Sequence, residues 1–425
     1  MEYVPRLLDP YLSEVLKSLP AVAVDGCKGV GKTESASRLA KTRIDLDLES
    51  ETQALREDPE RVMRMAHPLL IDEWQLYPAV WDHVRRAVDR HNKPGMFILT
   101  GSATPTQEPK HSGAGRIVHV QMRPFSLVER GCAAAGVALS DLLSGDRPEI
   151  AGRTSVTILD YAQEIVKGGL PGLRSVSPRF ARVAWDGYLS EILDRDLPEL
   201  GRVVRRRSML RAWLRSYAHA TATTATYTDI LDNATPNETD KPTKVTTLAW
   251  REALQRMWLL DPLPAWDDPL HRLSRLGAAA KHHLADPALA AHLIGVDAET
   301  LLTQSQQPRS PTPRPGTLFG ALFESLLTLS VRVYAEPLGA RVAHLRTRNG
   351  DHEIDLIVTR PDGKCVALEI KSAPQVGPSE VKHLRWLQTQ LGEDLLDAII
   401  LNTGSAAYRR SEDGIGVLPA ALMTA

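Results

Sequence analysis

Residues Asp25–Ala40 read "DGCKGVGKTESASRLA" and follow the apolar run "AVAV". Gly26, Gly31, Lys32 and Thr33 satisfy the pattern G-x-x-x-x-G-K-[ST] without exception. A strand that enters such a loop and a helix that leaves it turn backbone N–H groups toward a polyphosphate. Glycines permit the tight wrap, the lysine reaches the β and γ oxygens, and the hydroxyl ligates Mg2+. The stretch therefore predicts a nucleotide-binding set of Gly26, Cys27, Lys28, Gly29, Val30, Gly31, Lys32, Thr33 and Glu34, with ATP and Mg2+ as cofactors.

Working outward, the β-like runs "AVAV", "PLLIDE", "GMFILTG" and "RIVHVQM" alternate with the helical patterns "ESASRLAKT" and "PAVWDHVRRAVDRHN". That alternation marks βαβ units around a parallel sheet. "HPLLIDEWQ" puts Asp72 and Glu73 at the end of a neighbouring strand. Asp72 is placed to hold Mg2+ through water, together with Thr33, and Glu73 to polarise the hydrolytic water. "MFILTGSATP" ends in Thr100, Gly101 and Ser102, where Ser102 can sense a γ-phosphate. Arg116 and Arg123, in "GAGRIVHVQMRPFSL", are two candidates for the arginine that stabilises charge developing in phosphoryl transfer, often across a subunit interface. Arg116, behind a flexible Gly-Ala-Gly, is the favoured one.

The chain has 425 residues, enough for roughly two to four domains. Lys+Arg (51) nearly balance Asp+Glu (52), so any nucleic acid would meet a local basic patch and not the field of the whole molecule. Cys27, Cys132 and Cys365 are too few and too scattered for a disulfide framework or a cysteine-based zinc site. "MEYVPRLLDP" lacks a signal-peptide pattern and no stretch approaches the apolar length of a membrane span, which predicts a cytoplasmic protein without a membrane partner.

Residues 1–155 read as the α/β nucleotide-binding core, and 156–303, mainly helical, as a helical lid and winged-helix-like region. Within the second part, "MLRAWLRSYAHAT", "TYTDILDNA" and "VTTLAWREALQRMWLLDPLPAW" suggest three helices and a short extended hairpin, the outline of a winged helix or of a packing module. Residues 304–316, "QSQQPRSPTPRPG", have the composition of an extended linker, and 317–425 return to a small α/β pattern.

The order "AVAVDGCKGVGKT", "LLIDEWQ", "ILTGSATP", "GAGRI", "MRPFSLVE", "GGLPGL" and "YLSEILDRDLPELG" resembles the AAA-family ATPases that carry a DUF4143 carboxyl-terminal region. The resemblance covers nearly the whole chain. It implies a P-loop NTPase sheet of AAA+ type that works as a homo-oligomeric ring such as a hexamer, with an appended winged-helix region and a nuclease-like end.

In the tail, Asp355 lies in "HEIDLIVTR", and "VALEIKSA" puts Glu369 and Lys371 on one face of a strand with Ile370 on the other. Paired through the turn "RPDGK", Asp355 and Glu369 approach, and two carboxylates with a lysine can hold Mg2+ and activate a water against a phosphodiester. Glu324, in "GALFESLL", precedes them on a helix. The order of Glu324, Asp355, Glu369 and Lys371 is similar to that of the PD-(D/E)xK nuclease superfamily. Such domains cut DNA or serve as DNA-binding platforms, and both readings stand.

"GRVVRRRSMLRAWLRS" carries Arg202, Arg205, Arg206, Arg207, Arg211 and Arg215, either a phosphate-contacting stripe or a solvated face paired with acids such as Asp194. Lys241, Lys244, Arg251 and Arg256 flank or lie on the third helix, with Lys241, Lys244 and Arg251 as the expected DNA contacts, while Trp250 and Trp258 read as core. Together these features predict an ATP-driven oligomer acting on branched or otherwise structured DNA in repair, recombination or defence. The alternative is a nucleotide-switched regulatory ATPase with a protein partner and an inert nuclease-like domain.

Overall fold

The computed structural model describes residues 3–104, 113–133, 136–199, 206–236, 241–270, 273, 277, 279–304 and 317–425. Most of the proline-rich stretch, together with Arg202 and Arg205, lies outside them.

Five strands, β1 (Ala21–Asp25), β2 (Thr42–Asp45), β3 (Leu69–Asp72), β4 (Phe97–Gly101) and β5 (Ile117–Gln121), form a parallel sheet in the order β2-β3-β4-β1-β5. Alternation along β1 sends Val22 and Val24 to one buried layer and Ala21 and Ala23 to the other. Both faces are thus covered, as a parallel sheet requires. The polar carboxyl ends of β1, β3 and β4 lie side by side, with Val24 opposite Thr100 and Thr100 opposite Asp72.

The middle of the chain is helical. Thr157 caps the helix Ile158–Lys167 in a reciprocal capping box with Asp160, and Thr226 does the same with Asp229 for Tyr227–Ala234. The helix Pro178–Glu191 runs into a π-helical turn, Ile192–Asp196. Helices Arg207–His219, Tyr227–Ala234 and Lys244–Arg256 follow, and then an antiparallel ribbon in which Leu260 bridges Leu284 and Leu263 bridges Lys281.

The carboxyl-terminal part starts with the helix Leu318–Ala335 and builds a second sheet from β7 (Arg341–Arg346), β8 (Glu353–Thr359), β9 (Cys365–Lys371), β10 (Leu395–Asn402), β11 (Tyr408–Arg409) and β12 (Gly416–Pro419). Their order is β11-β12-β10-β9-β8-β7, antiparallel from β7 to β9 and parallel between β9 and β10. Two short strands, β6 (Val137–Ala138) and β13 (Met423–Thr424), pair in parallel and tie the end of the chain to the segment after the first sheet.

One continuous apolar core runs through all three parts, from Val24 and Leu127 through Tyr161 and Trp213 to Phe323, Leu356 and Leu401. The expectation that no stretch reaches membrane-spanning length is corrected at Leu318–Ala335, which has 18 residues and a mean hydropathy of 1.4. Most of that helix is buried between the second sheet and the helical region, so its apolarity is that of a core element.

Candidate functional site

The loop after β1 has the backbone a phosphate cradle needs. Gly29 and Gly31 hold φ of 77° and 103°, and a Cβ at Gly26 would collide with the carbonyl oxygen of Met122. Lys32 opens the helix Lys32–Leu39 and is buried; its Nζ donates to the carbonyls of Gly26 (2.7 Å) and Cys27 (3.0 Å), curling the side chain over the loop. Burial holds its pKa below the usual lysine range. Burial also pushes the Cys27 thiol up to about 12, so this cysteine is a packing residue and not a nucleophile.

Thr33 Oγ1 donates to Asp72 Oδ1 at 2.9 Å, which joins the loop to the end of β3. Thr100 donates to the same oxygen, and Arg43 Nη2 donates to Asp72 Oδ2 at 2.9 Å. Glu73 follows in the left-handed region (φ 51°, ψ 45°), uncommon for a residue with a side chain and frequent at functional sites. Ser102 Oγ donates to Glu73 Oε1 at 2.9 Å, and Gln75 Nε2 donates to Oε2. Ser102 thus touches Glu73. The donor set fits a magnesium nucleotide: a glycine loop with no room for a side chain at Gly26, a lysine over it, and a hydroxyl–carboxylate pair beside it.

Four contributors escaped the motif reading. Arg6, almost fully buried, donates to the carbonyls of Val30 (2.9 Å) and Arg123 (2.5 Å) and pairs with Glu129 at 2.9 Å, so it props the loop from behind. Arg43 holds Asp72. From the helical region, Tyr188 Oη donates to the carbonyl of Lys28 at 3.0 Å, and Asp196, in the π-helical turn, accepts from Lys28 Nζ at 2.8 and 2.9 Å. A helical lid over residues 156–303 is expected from the sequence, but not that Tyr188 and Asp196 bond the loop.

The two arginines separate. Arg116 precedes β5, whose first residue pairs with the first residue of β1, so it lies at the sheet end opposite the loop and bonds Asp89 at 2.5 Å. It cannot serve its own site. Arg123 lies on the loop's side of the sheet, but its expected role as the arginine that stabilises charge in phosphoryl transfer is corrected. Its side chain is buried and spends its donors on Asp261 (2.9 Å), Glu336 (3.4 Å) and Gln121. Burial would raise Asp261, yet Arg123 and Arg332 hold it down to about 2.

The carboxyl-terminal acids come together too. Asp355 lies one position beyond the Leu356–Leu368 pair, which sets it opposite Glu369, and it accepts from the Ile370 N–H at 2.9 Å. Glu324 faces them from the helix, and Lys371 Nζ bonds Glu369 Oε1 at 2.7 Å. Yet the assignment of Asp355 and Glu369 as Mg2+ ligands does not fit the arrangement. Lys281, from the ribbon, puts its Nζ 2.8 Å from Glu324, 2.8 Å from Asp355 and 3.1 Å from Glu353. Among the described residues no group of three His, Cys, Asp or Glu side chains is disposed to share a metal. Burial alone would lower the pKa of Lys281, but Asp355, Glu324 and Glu353 outweigh it and keep the ammonium charged, while burial pushes Glu324 and Glu369 up.

Of the basic residues, Arg207 pairs with Asp194 at 3.2 Å and Arg211 donates to Ser190 at 2.8 Å, while Arg206 and Arg215 are exposed. Lys241 pairs with Asp232 at 3.1 Å and Arg251 lies over the Tyr227 ring. Lys244 is exposed beside Val245 and Leu248 on the third helix, whose Trp250 is buried; Trp258 is partly buried.

Three family models match successive stretches of the chain: an AAA domain over residues 18–130, a domain of unknown function (DUF8612) over 158–300, and a domain of unknown function (DUF4143) over 319–423. The chain thus carries a stretch similar to the AAA domains of ATPases and, at the other end, one similar to DUF4143. It is 26% identical over 386 residues to uncharacterized proteins of Mycobacterium bovis and Mycobacterium tuberculosis, covering 87% of this chain and 74% of each relative. A Walker-type ATPase of Pyrococcus abyssi aligns with a TM-score of 0.41 and 16% identity, over 68% of this chain and 96% of that one.

Proposed function

We propose that the chain is a Mg2+-dependent ATP-hydrolysing motor that works as a homo-oligomeric ring on structured DNA, with the carboxyl-terminal part engaging the strand. The observation that carries the catalytic half is the triangle Lys32, Thr33–Asp72 and Ser102–Glu73 at adjacent strand ends. Bound MgATP would supply the phosphoanhydride and the cation that offsets developing charge. Gly26 to Thr33 would hold the phosphates, and Thr33 with Asp72 the ion. Lys32 has to leave the carbonyls of Gly26 and Cys27 to reach a phosphate. Glu73, aimed by Ser102, orients the attacking water and polarises its O–H bond. Lys28, held by Asp196, ties loop movement to the helical lid. Arg116, which cannot reach its own loop, is the residue to act on a neighbouring subunit.

The DNA half rests on the three helices with their ribbon and on the exposed Lys244, Val245 and Leu248 face of the third helix. The filled carboxylate cluster favours a second reading, a nucleotide-switched regulatory ATPase whose nuclease-like domain is inert and whose partner is a protein. ATP turnover measured with linear duplex, single-stranded and four-way-junction DNA separates the two. Stimulation by one of these supports the motor; turnover indifferent to all of them leaves the regulatory reading.

A further inference from the structure

We infer that Lys281 is the resident cation of the carboxyl-terminal carboxylate cluster, a side chain inserted between Glu324, Glu353 and Asp355 that excludes a divalent ion from them. The inference rests on this geometry alone and is independent of what the ATPase acts on.

Lys281 is among the largest fully buried side chains in the protein, an unusual place for an ammonium without a dedicated anionic partner. Its three acids come from two elements, Glu324 from the long core helix and Glu353 and Asp355 from β8. Position 281 is fixed from behind, since its N–H donates to the Leu263 carbonyl and its carbonyl accepts from the Leu263 N–H, both at 2.9 Å. Lys371 neutralises Glu369 on one oxygen only; Glu369 Oε2 is buried without a hydrogen-bond partner. Four carboxylates thus face two ammonium groups. The central position is taken by Nζ, and two cations cannot share it at contact distance without severe repulsion. A metal at that position has to displace Nζ. The ribbon's other strand carries Asp261, bonded to Arg123, whose neighbour Met122 donates its N–H to the carbonyl of Asp25 at the start of the phosphate loop.

The test is calorimetric titration of the nucleotide-free full chain with Mn2+, comparing wild type, Asp355→Asn, Lys281→Ala and Lys281→Ala/Asp355→Asn. The expected result is no difference between wild type and Asp355→Asn, and a new site in Lys281→Ala, tighter by at least about tenfold than any wild-type binding and lost again in the double variant. The melting temperature of Lys281→Ala should rise with Mn2+ while that of wild type stays flat. Wild-type binding that Asp355→Asn removes would overturn the inference, and that arm needs no Lys281 variant to fold. A folded Lys281→Ala that gains no site would overturn it equally.

Discussion

The protein holds two buried carboxylate sites, and they solve the same electrostatic problem in opposite ways. At the ends of β3 and β4, Asp72 and Glu73 are held by Thr33, Thr100, Ser102 and Arg43, and the lysine nearby is folded onto backbone carbonyls. In the carboxyl-terminal sheet the acids are closed by ammonium groups, Lys281 between three of them and Lys371 on the fourth. A carboxylate site is therefore characterised by the charge that its surroundings already supply, and not by its acids alone.

The sharpest way to break this comparison is to remove each lysine. Lys281→Ala leaves a buried cluster of acids uncompensated, and urea unfolding in metal-free buffer should show a loss of about 3–5 kcal/mol. Lys32→Ala removes the donor to the carbonyls of Gly26 and Cys27 and the cation that would meet the phosphates. It should weaken nucleotide binding by about 10- to 100-fold, measured by equilibrium titration, and change the unfolding midpoint far less. Equal stability losses in the two variants would erase the distinction.

The joint between the sites should show in acid. Asp261 is depressed to about 2 in the fold, so its contribution is complete above its unfolded value near 4 and is lost as pH falls through about 2. Asp261→Asn should remove about 2 kcal/mol at neutral pH and flatten the acid limb of the stability curve between roughly pH 4 and pH 2. The smallest effect belongs to the lid. Asp196→Asn frees Lys28, which is half exposed, so nucleotide affinity should rise by no more than about fivefold, the worth of an exposed ion pair.

What could be read from the sequence was local. Gly26 to Thr33 and the pair Asp72 and Glu73 lie in contiguous motifs whose spacing dictates the backbone, and their neighbourhood follows from parallel strand order. Asp355 and Glu369 approach because a tight turn fixes their register. Arg6 and Lys281 were invisible for the converse reason: their partners Glu129 and Asp355 lie 123 and 74 positions away, and nothing in the local pattern announces the meeting. Arg123 misled because a sequence shows the charge of an arginine and not the acids that consume it. The β2 strand "TRID" is short and polar at all but Ile44, too weak a pattern to stand out, yet it carries Arg43.

The role of Glu73 in hydrolysis is decided by Glu73→Gln, with ATP binding and steady-state hydrolysis measured on the same full-length protein. Nucleotide affinity should stay close to wild type and turnover should fall by at least about 100-fold, as expected when the group that orients the water can no longer act as a base. Hydrolysis that continues at the wild-type rate would contradict it.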